Sequence, residues 1–243
     1  MSDRTVLALG GADRITFLQG LVTNDVTKDE GVVYTALLTP QGKFVADFFV
    51  LVEADRLLID VATSHMQVLG QKLNMYRLRA AVTIEMTDLV VSRGTGAAPV
   101  GAYADPRHPA LGWRAYGPED VSDDTDWDAL RVEHLIPETG IELTDETYIL
   151  EAGFEALHGV NFKKGCFVGQ EIVARMKHKT TLRKGLAQVR IDGTARTGDE
   201  ITAGGKPAGT LFAISGDRGL AFLRFDRAEG EMQAGEATLT RLK

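Results

Sequence analysis

Apolar positions along the first ninety residues fall into short runs separated by turn residues. Residues 6–9 read as a strand, Gly10-Gly11 as a turn, and Asp13 as the cap of a short helix carrying Ile15, Phe17, Leu18 and Leu21. Residues 32–38 and 44–52 read as strands joined by a tight turn at Thr39-Pro40-Gln41-Gly42. Ala54-Asp55 then turns the chain into a strand over residues 57–61, so this region looks like a hairpin. Residues 64–76 carry Met66, Leu69, Leu73 and Tyr76 at helical spacing, and 81–86 return as a strand. Hairpin, helix and strand in this order predict an α+β layer, with helices on one face of a sheet.

Further along, Gly, Ala and Pro make residues 92–101 loop territory, and 106–113 are rich in turn residues. Asp126 or Asp128 is placed to cap a helix running to Leu135, with Pro137 ending it. Residues 170–177 have helical propensity. Beyond Lys184 the texture changes to short β-rich runs over residues 186–191, 206–214, 219–225 and 237–242. Glycines separate them, a pattern that predicts a small barrel.

Composition narrows the class. The chain has 243 residues, 44% of them hydrophobic and 25% charged, which is ordinary globular composition. The first residues lack a basic stretch followed by an apolar run, so no signal peptide is expected. Asp47, Glu53, Asp55, Arg56 and Asp60 interrupt the apolar stretch 44–62, which therefore suits buried strands and not a membrane span. The formal net charge of −7 opposes general nucleic-acid binding, which needs a basic footprint. Six acids crowd residues 119–128, the pattern of a solvated linker. Residues 163–184 hold seven Lys or Arg against Glu171 alone, and suit either a solvated face or an anion site.

The sequence holds one cysteine, Cys166. A lone cysteine cannot close an internal disulfide and cannot by itself make a zinc or iron–sulfur site, and a reducing compartment is the natural reading. Cys166 sits between Gly165 and Gly169, just before the expected helix and beside Lys163 and Lys164. Backbone N–H groups at a helix start and nearby ammonium groups both favour the thiolate, so a depressed thiol pKa is expected. A buried, inert cysteine is the competing reading. None of the five histidines has a recognised metal spacing, and His178 is the best placed of them as an iron ligand.

The segment Lys164-Gly165-Cys166-Phe167-Val168-Gly169-Gln170-Glu171, with Arg175 following, resembles the signature of the YgfZ proteins. These are folate-binding relatives of the glycine-cleavage aminomethyltransferases. Phe17-Leu18-Gln19-Gly20 and Thr23-Asn24-Asp25-Val26 are similar to that family's opening. Thr39-Pro40-Gln41-Gly42-Lys43 resembles its first turn, Tyr76-Arg77-Leu78-Arg79 its central helix end, and residues 127–133 a segment holding a folate-contacting Trp and an acid. The resemblance covers essentially the whole chain.

It implies a three-domain ring of the aminomethyltransferase type. Residues 1–42 and 127–182 would form a discontinuous folate-binding domain, 43–126 a ferredoxin-like domain with the acidic linker, and 183–243 a C-terminal β-barrel. It implies tetrahydrofolate as cofactor, with Trp127 stacking on a flat ring and Glu133 accepting paired hydrogen bonds from a pterin edge. Asn24, Asp25, Gln41, Tyr76 and Arg79 would be further binding residues, and the basic stretch would hold the glutamate tail. The implied role is assembly or repair of [4Fe–4S] proteins, serving radical enzymes such as those that thiomethylate tRNA. Cys166 would be the working thiolate, a transient ligand to a cluster shared with a partner and not an intrinsic metal site. Lys164 would tune it, and Gln170, Glu171 and Arg175 would orient its loop. A cytoplasmic protein whose partners are folate and cluster-assembly or client proteins, with no direct nucleic acid and no membrane, is expected. The alternative is a tetrahydrofolate-dependent one-carbon transferase relying on Asp47 or Glu133. One acid at Asp47, where the enzymes carry a pair, weakens that alternative.

Overall fold

A computed structural model describes residues 3–27 and 31–242. Met1, Ser2 and Lys243, where the expected domains begin and end, lie outside the described residues, as does the 28–30 segment. The chain divides into two compact units. The first comprises residues 1–125, 144–146 and 154–174, and the second 126–143, 147–153 and 175–243.

In the first unit, β1 (Arg4–Gly10), β2 (Val32–Leu38), β3 (Phe44–Val52), β4 (Arg56–Ala62) and β5 (Thr83–Met86) form an antiparallel sheet in the order β2-β3-β4-β1-β5. The ladder pairs Leu7 with Ile59 and Ile59 with Val50. The boundary expected at residue 42 falls inside this sheet, because β1 and β2 pair with strands beyond it. On one face Leu9, Phe48, Val50 and Ile59 pack under α1 (Arg14–Gln19) and α2 (Thr63–Arg77), which contribute Leu18, Leu69 and Leu73. Asp13 precedes α1 as expected but does not cap it. Its carboxylate instead accepts from the Ala81 amide at 2.8 Å, tying the helix start to the approach of β5.

Strand side chains alternate between faces, so Asp47, Phe49 and Asp60 belong to the other side. That face is buried too. A second sheet, β6 (Val90–Gly94), β7 (Tyr103–Ala104) and β8 (Trp113–Gly117) in the order β6-β8-β7, brings Arg114 against it. Strands buried on both faces lose polar alternation, which explains why β3 and β4 read as near-continuous apolar runs. Residues 90–94 are a strand where part of a loop was expected, because Val91 and Ser92 are buried in pairing with β8.

In the second unit, α3 (Trp127–His134) starts at Asp126, whose carboxylate accepts from the Ala129 amide at 3.0 Å. The C-terminal region is a closed six-stranded barrel in the order β10-β11-β12-β9-β14-β13, built from β9 (Lys184–Asp192), β10 (Glu200–Ala203), β11 (Lys206–Ser215), β12 (Arg218–Arg224), β13 (Met232–Ala234) and β14 (Ala237–Arg241). Val189, Leu211, Leu223, Met232 and Leu239 fill it. Four strands were expected. β10 and β13 are short and amid polar and Gly residues, so they carry no apolar run, and a single rung, Thr202 to Gln233, closes the barrel between them. Val132 of α3 packs on Ala213 and Leu220, and Gln188 donates to the Val132 carbonyl at 3.0 Å. Among the described residues no helix is long and apolar enough to cross a membrane.

Candidate functional site

The site is built on the chain that returns to the first unit. Asn161 starts the turn: its amide donates to the Thr23 carbonyl at 3.0 Å and its side chain accepts from the Lys163 amide at 2.8 Å. Gly165 and Gly169 both adopt the left-handed backbone, with φ of +96° and +82°. Between them Phe167 is buried, Val168 packs on the main core, and Cys166 is exposed and free. The apolar pair anchors the loop and leaves the thiol in solvent. α4 (Gln170–Lys179) begins four residues past the cysteine.

Gly169 is required for more than its backbone angle. A Cβ there would lie 2.6 Å from the Thr39 carbonyl oxygen and 3.0 Å from the Gly42 Cα. A Cβ on Gly42 would in turn meet Ile172 of α4 at 2.8 Å. The Thr39–Gly42 turn and the cysteine loop, two motifs far apart in sequence, are therefore packed glycine against glycine.

Lys164, expected to tune the thiolate, is bonded into the fold. Its ammonium donates to the carbonyls of Gln19 at 2.5 Å and Val22 at 2.8 Å, at the end of α1, and lies over the Phe167 ring. Burial pushes its pKa from 10.5 down to about 8, against the upward pull of Asp25 and Cys166. Lys164 thus fastens the loop while remaining within electrostatic reach of the thiol. Lys163, Glu171 and Arg175 are exposed, and Gln170 is half-buried with its amide donating to the Phe167 carbonyl at 3.2 Å.

The residues expected to contact folate divide by how far they are already engaged. The Asn24 amide donates to the Tyr34 carbonyl at 2.9 Å and the His158 carbonyl at 2.6 Å, and its oxygen accepts from the Asp25 amide. Asp25 accepts from Gln19 at 3.2 Å and from the Thr27 hydroxyl at 2.7 Å. Asn24 thus ties the opening motif to Tyr34 and His158, and one carboxylate oxygen of Asp25 is engaged by Gln19 and Thr27. Tyr76 packs against the main core. Gln41 and Arg79 are exposed. In the second unit Trp127 is half-buried and Glu133 exposed. At about 100° per residue, six residues on a helix turn the direction by roughly 600°, so the two side chains leave α3 about 120° apart.

Two buried charge clusters escaped the sequence reading. In the first unit, Asp60 pairs with Arg4 and, at 2.6 Å, with Arg114, while Asp105 pairs with Arg107 at 2.8 Å and Arg114 at 3.3 Å. The three guanidinium groups surround the Phe49 ring, Arg114 at 3.7 Å from its centre. Asp47 is 4% exposed and accepts from the Tyr34 hydroxyl at 3.0 Å. In the second, the Nη2 group of Arg131 on α3 donates to both carboxylate oxygens of Glu142 at 2.8 Å, and its Nη1 pairs with Glu138 at 2.9 Å. The signal available was the acids inside apolar strands: Asp47 and Asp60 interrupt runs whose neighbours are all buried. Among the described residues, no three His, Cys, Asp or Glu side chains are grouped as a metal site.

The fold is that of the aminomethyltransferases. The chain superposes on the crystal structure of glycine cleavage system aminomethyltransferase T from Bartonella henselae with a TM-score of 0.80, covering 99% of this chain and 83% of that one at 13% identity. Residues 183–243 match the CAF17 C-terminal beta-barrel domain. In sequence the chain is similar to iron-sulfur cluster assembly factor IBA57, mitochondrial, of Mus musculus (27% identical, 96% of this chain, 78% of the mouse protein) and of Homo sapiens (28%, 96% and 78%). The Neurospora crassa homologue is 26% identical over 76% of this chain, which spans about half of its length (51%). All three names carry the word mitochondrial, which overturns the cytoplasmic expectation.

Proposed function

We propose that this protein serves the assembly or repair of iron–sulfur proteins, with Cys166 as the group that meets the cluster. The observation that carries the reading is an exposed thiol on a loop fixed on both sides, by Gly169 packed into the Thr39–Gly42 turn and by Lys164 bonded to the end of α1. The names of the sequence relatives support it, and so does the resemblance of residues 164–171 to the YgfZ signature. One thiolate donates one electron pair to iron. It can share a cluster with a partner's ligands but cannot hold one alone, which suits hand-over to a client such as a tRNA-thiomethylating radical enzyme. The cluster is cargo in this scheme.

Tetrahydrofolate fits only part of the expected residue set. The Asn24 side chain is bonded to Tyr34, His158 and Asp25, one carboxylate oxygen of Asp25 is bonded to Gln19 and Thr27, and Tyr76 packs on the core. Trp127 offers a half-buried ring face and Glu133 a solvated carboxylate, so these two would hold the ligand, Trp127 by stacking and Glu133 by accepting from N–H groups. Bound folate would supply one-carbon chemistry. No step of the cluster role depends on it. The transferase alternative relies on Asp47 or Glu133; Asp47 is buried and accepts from the Tyr34 hydroxyl, so of the two acids Glu133 is the exposed one.

The test is anaerobic transfer from a loaded scaffold protein to an apo-acceptor, comparing the natural chain with Cys166→Ser, with and without tetrahydrofolate. Loss of delivery with fold retained is expected for the variant. Equal delivery by both would remove Cys166 from the mechanism.

A further inference from the structure

A hollow of about 330 Å³ opens in the second unit where α4 runs into the barrel. That size lies at the lower end of small-molecule sites, roughly 300–1,000 Å³. Its polar lining comes from Thr180, Thr181 and Arg183 on the segment joining α4 to β9, Lys184 at the start of β9, Arg224 on β12, and Glu151. Met176 and Leu182 give it an apolar wall.

The charges do not cancel. Lys184 pairs with Glu151 at 3.4 Å, and Arg224 with Asp226 at 3.2 Å. Arg183 is exposed and, among the described residues, makes no ion pair, so its positive charge is left over at the mouth. A guanidinium presents a planar fork of N–H donors that matches a carboxylate or phosphate. The neighbouring threonine hydroxyls can each donate one hydrogen bond more.

We propose that this hollow binds a small anionic metabolite, its carboxylate or phosphate held by Arg183 with Lys184 and Arg224 alongside, and its body laid on Met176 and Leu182. This site is separate from the thiol chemistry and stands or falls without it. No charged group of the Cys166 loop takes part.

The experiment is calorimetric titration of the full chain at low ionic strength with two probes, inorganic pyrophosphate and glutarate. Saturable one-to-one binding of at least one is expected, and the tighter of the two names the oxyanion. Arg183→Gln should weaken binding about tenfold or more, the usual consequence of losing a charge-assisted hydrogen bond. Glu151→Gln should tighten it severalfold by removing the one carboxylate in the lining. Arg190→Gln, an exposed barrel arginine outside the hollow, should change nothing. The proposal is overturned if neither probe saturates, if Arg183→Gln and Glu151→Gln both leave binding unchanged, or if Arg190→Gln weakens it as much as Arg183→Gln. Circular dichroism of each variant separates lost binding from lost fold.

Discussion

Lys164 reaches back across the chain to Val22, its ammonium donating to that residue's carbonyl oxygen at 2.8 Å. The bond joins the cysteine loop to the opening motif of the sequence, and it makes the loop's attachment sensitive to pH. The folded pKa of Lys164, about 8, lies below its ordinary 10.5. Between those values the unfolded chain binds more protons than the folded one, so this residue makes stability rise with pH across that window. Below pH 8 the cost of the buried charge is fully present. Urea midpoints of the natural chain and Lys164→Met, measured at pH 7.5 and 9.5, should move relative to one another in favour of the natural chain at the higher pH. A constant difference would mean that the ammonium is not desolvated.

The two glycines beside Cys166 should respond differently to alanine. At Gly165 a Cβ meets nothing within 4 Å, so only the left-handed backbone is penalised, about 1–2 kcal/mol. At Gly169 the same penalty is joined by overlap with the Thr39 carbonyl at 2.6 Å, and overpacking adds roughly 1–3 kcal/mol. Gly169→Ala should therefore unfold at clearly lower denaturant than Gly165→Ala, with chemical denaturation followed by circular dichroism as the measurement. Equal losses would show that the turn yields freely.

Much of this arrangement was legible in residue order, and the unread part has a common cause. Residues 32–38 and 44–52 were placed correctly as strands, because apolar runs bounded by Thr39-Pro40-Gln41-Gly42 leave few alternatives. The barrel region was legible from glycine spacing, although β10 and β13 were not, being too short and polar to carry a period. What could not be read was pairing across distance. Nothing local to Asp60 announces Arg114, and nothing local to Lys164 announces the carbonyls of Gln19 and Val22. Trp127 and Glu133 share one short sequence segment, yet six residues of helix send their side chains about 120° apart. Glycines flanking a cysteine, by contrast, stated a backbone requirement that the fold uses directly.

Acid should attack the first unit through its buried ion cluster. Burial alone would raise the Asp105 pKa, but Arg107 and Arg114 outweigh it and hold the carboxyl at about 2, below the ordinary 3.8. Asp60 is likewise lowered by Arg4 and Arg114 against its burial. A depressed folded pKa contributes stability that is complete above the ordinary value and is lost as pH falls toward about 2. Trp113, buried beside Arg114, reports the event by its fluorescence. Asp60→Ala should destabilise by about 3–5 kcal/mol, the usual cost of stranding a buried charge, and should flatten the acid limb of the stability profile. Retention of full stability in this variant would mean that Arg4 and Arg114 find water when Asp60 is gone.

Because Trp127 and Glu133 leave α3 about 120° apart, they are expected to act on different parts of a bound tetrahydrofolate. Calorimetric affinities for the natural chain, Trp127→Ala, Glu133→Gln and the double variant form a cycle. Each single change should weaken binding by about tenfold, as loss of one stacking face or one charge-assisted hydrogen bond does. Groups without shared partners add to within roughly 0.5 kcal/mol, so the double variant should show the two losses multiplied. A larger coupling would mean that both side chains grip a single ring edge. Loss confined to Trp127→Ala would leave Glu133 as a surface residue and remove the pterin-edge contact from the folate proposal.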